Sequence, residues 1–297
     1  MKILLTGKTG QVGYELERSL QGLGEIIALD RSQMDLANLD QVRDVIRSVK
    51  PDLIINPAAY TAVDQAESEP ELAMRINGEA PGVMAEEAKK LGAAMIHYST
   101  DYVFDGSKST PYVETDPTCP TNVYGATKLA GEQAIQAAGI PHLILRTSWV
   151  YGIRGKNFLL TMLRLAQERD ELRIVADQYG APTWCRTIAD TTAQIVAQAK
   201  DAQSGTEWWQ ERSGIYHLTA QGQTTWFGFT QAILENAAIS RKPVLIPITT
   251  QDYPLPAKRP AHSVMSSQKL ISEFCQLPIW QDALVSCLKK NALMGNI

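Results

Sequence analysis

Short apolar runs alternate with amphipathic stretches along the first half of the chain. Residues 3–5, 26–29 and 53–55 read as strands, and the stretches between them carry apolar side chains at helical spacing. The alternation continues as a helix-like stretch at 71–91, a strand at 94–98, a helix at 124–138 and a strand at 142–145. This order is typical of a parallel sheet covered by helices. We therefore predict an α/β fold with a doubly wound parallel sheet.

A glycine-rich loop follows the first predicted strand. It reads Thr6-Gly7-Lys-Thr-Gly10-Gln-Val-Gly13, with a glycine at every third position from 7 to 13. Glycines at a strand-to-helix junction let backbone N–H groups approach a pyrophosphate, as in a Rossmann fold. An ATP-hydrolysing phosphate loop is rejected, because its pattern needs a glycine where Lys2 stands. The loop predicts a bound dinucleotide.

Asp30 and Arg31 bear on which dinucleotide binds. Asp30 ends the second predicted strand, where an acid can accept hydrogen bonds from the adenosine ribose. That carboxylate disfavours a 2′-phosphate, whereas the Arg31 guanidinium beside it can neutralise one. We predict that both NADH and NADPH are used.

Small and hydroxylated residues follow the third and fourth predicted strands. They are Asn56-Pro-Ala-Ala-Tyr-Thr61 and Tyr98-Ser-Thr-Asp101, and ligands of open α/β sheets bind at such strand ends. Thr100 can donate a hydrogen bond to a substrate carbonyl, although a hydroxyl that merely satisfies the strand end is the alternative. His97, inside the strand, is interpreted as structural rather than catalytic.

Tyr124 and Lys128 stand four residues apart in a predicted helix, so their side chains leave the same face. A fixed ammonium beside a phenol favours the phenolate, so we expect Lys128 to draw the pKa of Tyr124 toward neutral pH. Such a pair suits the reduction of a ketone, where the nascent alkoxide needs a proton. Alone, the spacing favours an ordinary helix pair, because it also occurs by chance.

Composition excludes several classes of protein. The 297 residues carry a formal net charge of −4, which gives no general attraction to nucleic acid or anionic membranes. The four cysteines are scattered (Cys119, Cys185, Cys275 and Cys287), so neither a disulfide framework nor a zinc site is indicated. No signal peptide or membrane span is evident, and we expect a cytoplasmic protein with a small-molecule partner.

Taken together, these residues resemble the extended short-chain dehydrogenase/reductase family, in which they occur in the same order. More narrowly, the chain is similar to the dTDP-4-dehydrorhamnose reductases. The similarity runs from residue 3 to about 183, and residues 259–260 and 280 match weakly beyond it. Its blocks are the glycine loop, Ala62-Val-Asp-Gln-Ala-Glu-Ser-Glu-Pro70, His97-Tyr-Ser-Thr-Asp-Tyr-Val-Phe104, Asn122-Val-Tyr-Gly125, Arg146-Thr-Ser-Trp-Val-Tyr151 and Asp177-Gln-Tyr-Gly-Ala-Pro-Thr183.

The resemblance implies NAD(P)H-dependent reduction of the C4 ketone of dTDP-6-deoxy-L-lyxo-4-hexulose to dTDP-L-rhamnose. Tyr124 would protonate the C4 oxygen, Lys128 would bind the nicotinamide ribose, and Thr100 would position the carbonyl. Asp101, Trp149 and Arg259 would contact the substrate, Arg259 at its diphosphate. The implied cofactor contacts are Gly7, Thr9, Gly10, Gln11, Val12, Gly13, Asp30, Asp35, Leu36, Ala59, Tyr60, Thr61, Tyr98, Tyr124 and Lys128.

The resemblance also implies two lobes. Residues 1–148 would form the NAD(P)-binding Rossmann domain, to which parts of about 170–220 would return. Residues 149–169 and 221–297 would form a smaller nucleotide-sugar-binding lobe.

The sequence departs from the family at a metal site. Some members dimerise through a magnesium ion held by glutamates; Glu15 matches one of these, but Arg186 and Lys290 stand at the other two positions. Because cations repel the ion, we expect no structural magnesium and either a monomer or a homodimer formed without it.

Other members of the superfamily give the alternatives. A 4,6-dehydratase would carry a glutamate after Asp101, where Tyr102 stands, so dehydration is disfavoured. Another sugar-nucleotide reductase or epimerase remains open. So does a non-catalytic NADP-binding subunit resembling methionine adenosyltransferase β, although retention of Thr100, Tyr124 and Lys128 favours an enzyme.

Overall fold

The computed structural model describes residues 1–202, 205–239 and 242–293, the last four without their side chains. The strands are β1 Lys2–Leu5, β2 Glu25–Ala28, β3 Leu53–Asn56, β4 Ala94–Thr100, β5 His142–Thr147, β6 Val150–Tyr151, β7 Glu171–Val175, β8 Tyr179–Gly180, β9 Thr183–Trp184, β10 Gly214–His217, β11 Thr224–Thr225 and β12 Val244–Ile248. The α-helices are α1 Gln11–Ser19, α2 Leu39–Val49, α3 Val63–Ala66, α4 Pro70–Met74, α5 Ala80–Leu91, α6 Val123–Ala138, α7 Phe158–Glu168, α8 Cys185–Asp201, α9 Gly205–Glu211, α10 Trp226–Asn236, α11 Gln268–Glu273 and α12 Trp280–Leu293. A π-helical turn, Arg75–Glu79, joins α4 to α5.

Six strands form the central sheet in the order β10-β5-β4-β3-β1-β2, and every neighbouring pair is parallel. The chain moves outward from β1 to β2 and then returns to β3 on the other side of β1. In such sheets ligands bind at the carboxyl ends of the strands beside this reversal. The predicted α/β fold with a parallel sheet is confirmed.

Apolar cores on both faces of the sheet hold the helices in place. β3 buries all four of its residues, as expected for an interior parallel strand. One core packs α1 and α8 on one face through residues such as Leu16 and Ile188, and the other packs α2, α5 and α6 on the opposite face through residues such as Ile46 and Ile135. The doubly wound arrangement follows from this two-sided burial.

A buried ion pair anchors α6 to the sheet. Arg146 of β5 donates from Nε to Glu132 Oε1 at 2.9 Å and from Nη2 to Glu132 Oε2 at 2.7 Å, and both side chains are at most 2 % exposed. Removing one partner of such a pair leaves a buried charge, which typically costs about 3–5 kcal/mol. α6 therefore has a fixed position against β5.

The elements of the later part of the chain fall into two groups, one at the central sheet and one beside a separate core. α8 packs against α1, and β10 joins the central sheet beside β5. β7 instead pairs with β12 in a two-stranded sheet, beside a third apolar core that includes Tyr151 and Phe229. The bounds predicted for the two lobes stay a prediction. Among the helices of the described residues, none is both long and apolar enough to cross a membrane.

Candidate active site

The glycine loop forms an open cradle at the carboxyl end of β1. Gly7 has a φ of +60°, and a Cβ at Gly13 would lie 2.1 Å from the Gly7 carbonyl oxygen. Gly10 precedes α1 without any side-chain cap, so the N–H groups of the first helical turn stay available to an anion. A side chain at Gly13 would collide with the Gly7 backbone, so glycine lets the loop pack closely on α1, and the loop as it stands fits a dinucleotide pyrophosphate.

Asp30 lies beside this cradle with a cation next to it. Its Oδ1 accepts hydrogen bonds from Ser32 N at 2.9 Å and Ser32 Oγ at 2.5 Å, which lower the pKa of the carboxyl. Lys8 Nζ stands 3.5 Å from Asp30 Oδ2, and the exposed Arg31 pairs with Asp35 at 3.5 Å. Lys8, which we did not single out from the sequence, adds a second positive charge beside Asp30.

The predicted cofactor wall is only partly a wall of side chains. The backbone N–H of Tyr60 donates to Asn77 Oδ1 at 2.8 Å, and this bond holds the 59–61 segment at the strand end. Tyr98, by contrast, points into the core, where its hydroxyl lies 2.7 Å from Thr192 Oγ1. Leu36 is likewise buried in the second core. A cofactor contact at Tyr98 would have to come from its backbone.

The start of α6 presents Tyr124. Asn122 caps the helix by accepting from Gly125 N at 2.8 Å, and its Nδ2 donates to the Lys258 carbonyl at 2.7 Å, tying the helix to the C-terminal part. A Cβ at Gly125 would lie 2.2 Å from the Tyr102 carbonyl oxygen, so glycine permits this close approach. The Asn122-Val-Tyr-Gly125 block thus fixes where the phenol lies.

Tyr124 meets Thr100 at the end of β4. The Thr100 side chain lies beside the Tyr124 hydroxyl; burial raises the pKa of Tyr124 to about 12, although Thr100 acts to lower it. The expectation that Lys128 draws this pKa toward neutrality is not met, because burial and then the charge of Asp101 raise the pKa of the phenol. The phenol therefore keeps its proton at neutral pH, which suits a proton donor.

A buried carboxyl stands beside these two hydroxyls. Asp101 is 1 % exposed; its Oδ1 accepts from Thr100 Oγ1 at 3.1 Å and its Oδ2 from Ser263 Oγ at 2.5 Å. Burial raises the pKa of Asp101 to about 6. Ser263 comes from far along the chain and has no motif around it, so only the structure could place it here.

Lys128 lies deeper, one helical turn beyond Tyr124. Its Nζ donates to the Tyr98 carbonyl at 2.6 Å and lies 3.1 Å from His97 Nε2. Burial lowers the pKa of Lys128 to about 8, so the group is mostly an ammonium at neutral pH. His97 and its partner Asn56 were not predicted as site residues; the spacing of His97 and Tyr98 within a strand gives no hint of this contact.

Trp149 and Trp226 form the opposite side of the site. Their indoles stack with centroids 3.5 Å apart and planes 7° from parallel. Trp149 has a φ of +47°, an uncommon backbone conformation for a bulky residue, and a Cβ at Gly180 would lie 2.4 Å from its ring. Trp226, whose Nε1 donates to Gln178 Oε1 at 3.1 Å, lies outside the matching sequence blocks.

A cleft of about 1010 Å³ opens beyond the stacked indoles. Its lining includes the aromatic Phe158 and Trp226 and the cations Arg169, Arg173 and Arg259. Tyr124 and Lys128 do not line it, but Lys258, whose carbonyl accepts from the Asn122 cap of α6, does. Apolar rings and several guanidinium groups suit a base joined to phosphates.

The place predicted to lack magnesium carries an intramolecular ion pair. Arg186 Nη1 lies 3.6 Å from Glu15 Oε2, and Arg186 Nε donates to Asp190 Oδ2 at 3.2 Å. The Lys290 side chain lies outside the described residues. Among the described residues no group of three or more His, Cys, Asp or Glu could hold a metal ion.

The site and fold belong to a known group of proteins. Residues 1–293 match the family described as the RmlD substrate binding domain. The chain belongs to this family. The predicted resemblance to the dTDP-4-dehydrorhamnose reductases is thereby confirmed.

Relatives of this RmlD family member cover nearly its whole length. It is 50% identical to a dTDP-4-dehydrorhamnose reductase of Burkholderia thailandensis over 97% of this chain and 98% of that one. It is 47% identical to the dTDP-4-dehydrorhamnose reductase of Escherichia coli K12 over 95% of both chains. A dTDP-4-dehydrorhamnose reductase from Bacillus anthracis, solved in complex with NADP, is 33% identical with a TM-score of 0.88 and covers 97% of this chain and 99% of its own.

Proposed function

We propose that this chain reduces the C4 ketone of dTDP-6-deoxy-L-lyxo-4-hexulose with NAD(P)H and releases dTDP-L-rhamnose. The observation that carries the proposal is the meeting of Thr100 and Tyr124 at the end of β4, beside a glycine cradle, in a chain 50% identical to a reductase of this name.

The cofactor fits the cradle and would supply a hydride for C4 of the sugar. Gly7, Gly10 and Gly13 leave room for its pyrophosphate at α1, and Asp30 accepts hydrogen bonds from its adenosine ribose. Lys8 and Arg31 favour a 2′-phosphate by charge, so both NADH and NADPH remain predicted cofactors.

The protein's own part in the reaction is proton delivery and orientation. Thr100 Oγ1 turns its proton from Asp101 Oδ1 to the ketone oxygen, which brings that oxygen to the Tyr124 hydroxyl. Tyr124 then donates its proton to the oxygen as negative charge develops there. Lys128 binds the nicotinamide ribose, and Asp101 and Trp149 contact the sugar ring.

The nucleotide of the substrate occupies the cleft of about 1010 Å³. Phe158 and Trp226 provide apolar surface for the base, and Arg259 binds the diphosphate. The oligomeric state that we propose is a monomer or a magnesium-free dimer, supported by the Glu15–Arg186 ion pair. A location in the cytoplasm stays a prediction.

The test is NADPH oxidation with enzymatically made dTDP-hexulose as substrate. We expect turnover by the native chain and a loss of about 10²–10⁴-fold in kcat for Tyr124→Phe, with NADPH affinity retained. Unchanged turnover in Tyr124→Phe would remove the phenol from its role. Tight NADPH binding without any turnover by the native chain would instead favour the non-catalytic subunit.

A further inference from the structure

A row of buried polar side chains runs behind the dinucleotide site. Thr6 follows β1, Asn56 ends β3 and His97 lies opposite Asn56 in the middle of β4. Lys128 reaches them from α6. Their exposures are 2 % for Thr6, 0 % for Asn56, 1 % for His97 and 1 % for Lys128. We call these four residues the buried polar row.

Contacts join the row from end to end. Thr6 Oγ1 donates to Asn56 Oδ1 at 2.6 Å, and Asn56 Nδ2 lies 3.1 Å from His97 Nδ1. His97 Nε2 lies 3.1 Å from Lys128 Nζ. The row therefore connects the residue before the glycine loop to the lysine at the nicotinamide end.

The charge on Lys128 decides which nitrogen of His97 carries the proton. An ammonium has only donors, so Lys128 can hydrogen-bond to His97 only if Nε2 is an acceptor. His97 is neutral, because burial and the charge of Lys128 hold its pKa well below the ordinary value. A neutral imidazole that accepts at Nε2 carries its proton on Nδ1. A half-turn of the Asn56 carboxamide exchanges its oxygen and its nitrogen. The oxygen then accepts from the His97 Nδ1–H, and the nitrogen donates to Thr6 Oγ1.

We propose that His97 is a positioning residue that holds the Lys128 ammonium through Nε2, while Asn56 and Thr6 fix its Nδ1–H tautomer. The Tyr98 carbonyl and His97 occupy two of the three N–H groups of Lys128. The third N–H is then left for the nicotinamide ribose. This step rests on the proposed function, since that function gives Lys128 its place at the cofactor.

Other charged and titratable groups around Lys128 are already accounted for. Glu132, one turn further along α6, acts on Lys128 through its charge and is bound by Arg146 of β5. Tyr124, on the same helix, stays protonated at neutral pH because its pKa is about 12. A substitution at His97 therefore removes a neutral acceptor from Lys128 without changing its neighbouring charges.

The first test observes the tautomer directly. A long-range proton–nitrogen NMR spectrum of the native chain distinguishes a protonated Nδ1 from a protonated Nε2, with His97→Gln identifying the signal. We expect Nδ1–H from pH 6 to pH 8, roughly the range in which Lys128 is charged. A proton on Nε2 would overturn the inference.

The second test compares pH profiles of kcat. In His97→Leu the buried ammonium loses an acceptor, so the pKa of Lys128 falls further and the alkaline limb moves to lower pH, by about one to two pH units. His97→Gln can place its Oε1 near the position of Nε2 and is expected to restore the limb. His142→Leu, the same change at a half-buried histidine of β5, is the matched control and leaves the profile unchanged. An unmoved limb in His97→Leu, or equal shifts in the Leu and Gln variants, would contradict the role.

A third measurement separates this inference from the proposed function. NADPH affinity, followed by its fluorescence, needs no ketone substrate. We expect His97→Leu to weaken NADPH binding about tenfold and increasingly as pH rises, whereas His97→Gln binds normally. If the native chain turns over no hexulose, the proposed function fails, while the tautomer and the NADPH titrations still decide the role of His97. Should His97→Leu not fold, the tautomer of the native chain decides it.

Discussion

Arg259 donates hydrogen bonds of 2.9 and 2.8 Å to the two carboxylate oxygens of Asp64, a residue 195 positions earlier in the chain. Its Nη1 also donates to the Ala257 carbonyl at 2.8 Å. A guanidinium has five N–H donors, so these contacts leave two for other acceptors. Asp64 therefore orients Arg259 and leaves part of it available to a diphosphate.

We expect Asp64→Asn to raise the KM for the nucleotide sugar about tenfold, because Arg259 loses its charged partner and its fixed orientation. NADPH affinity should not change. Initial rates and NADPH fluorescence measure the two effects. Asp40→Asn is the control, since it makes the same change in an exposed pair with Arg43. Equal KM values for the native chain and Asp64→Asn would remove Asp64 from this role.

Asp101 makes stability depend on pH. Its pKa is about 6 in the folded chain and near 3.8 when unfolded, so the folded state holds the proton more tightly. The free energy of unfolding should therefore fall as pH rises from about 4 to about 6, by up to roughly 3 kcal/mol from this group. Asp101→Asn should lose this part of the slope, as urea denaturation at several pH values would measure.

The matched control for that experiment is Asp116→Asn. The pKa of Asp116 is lowered, chiefly by its hydrogen bond with Lys108, so its own contribution changes below about pH 4 rather than above it. If the free energy of unfolding changes in parallel for the native chain and Asp101→Asn between pH 4 and pH 6, Asp101 is ionised throughout that range.

Gly180 lies directly under the indole of Trp149. Because an added Cβ would lie 2.4 Å from that ring, Gly180→Ala should displace Trp149 and lower kcat/KM for the sugar by about tenfold or more. NADPH affinity should persist. Gly205→Ala serves as the control, since the nearest atom to its added Cβ would be 3.7 Å away. Full activity in Gly180→Ala would mean that the ring position does not matter for the sugar.

The Glu15–Arg186 pair bears on assembly. Since a guanidinium already lies 3.6 Å from Glu15, we expect the molar mass in light scattering to be the same with magnesium and with chelator. Arg186→Glu, which restores an oxygen ligand, provides the comparison. Dissociation of the native chain on chelation would show that a divalent cation holds subunits together.

Much of the architecture follows from local pattern. Each buried run such as 53–55 became a strand of the sheet, because a parallel strand covered on both faces needs apolar residues throughout. Tyr124 and Thr100 were predicted to act on the same carbonyl, because each lies within a recognisable block of sequence. The sequence of residues 201–213 has the polar composition of a loop, yet residues 205–211 form α9, because Trp209 packs into the core and overrides that composition.

The remaining site residues depend on long-range packing. Ser263 reaches Asp101 from 162 positions away, and Trp226 reaches Trp149 from another helix, so no spacing rule connects them. His97 looked structural because nothing in its own strand indicates a lysine beside it. The raised pKa of Tyr124 could not be predicted from the sequence either, since it depends on how much protein surrounds the phenol.

The stacked indoles of Trp149 and Trp226 give the protein an optical reporter of its own. Two parallel chromophores whose centroids are 3.5 Å apart couple their electronic transitions, so ultraviolet circular dichroism and fluorescence depend on their separation and angle. A sugar that contacts Trp149 changes both. Substrate arrival can therefore be timed in the native chain without a label, and separately from the oxidation of the dinucleotide.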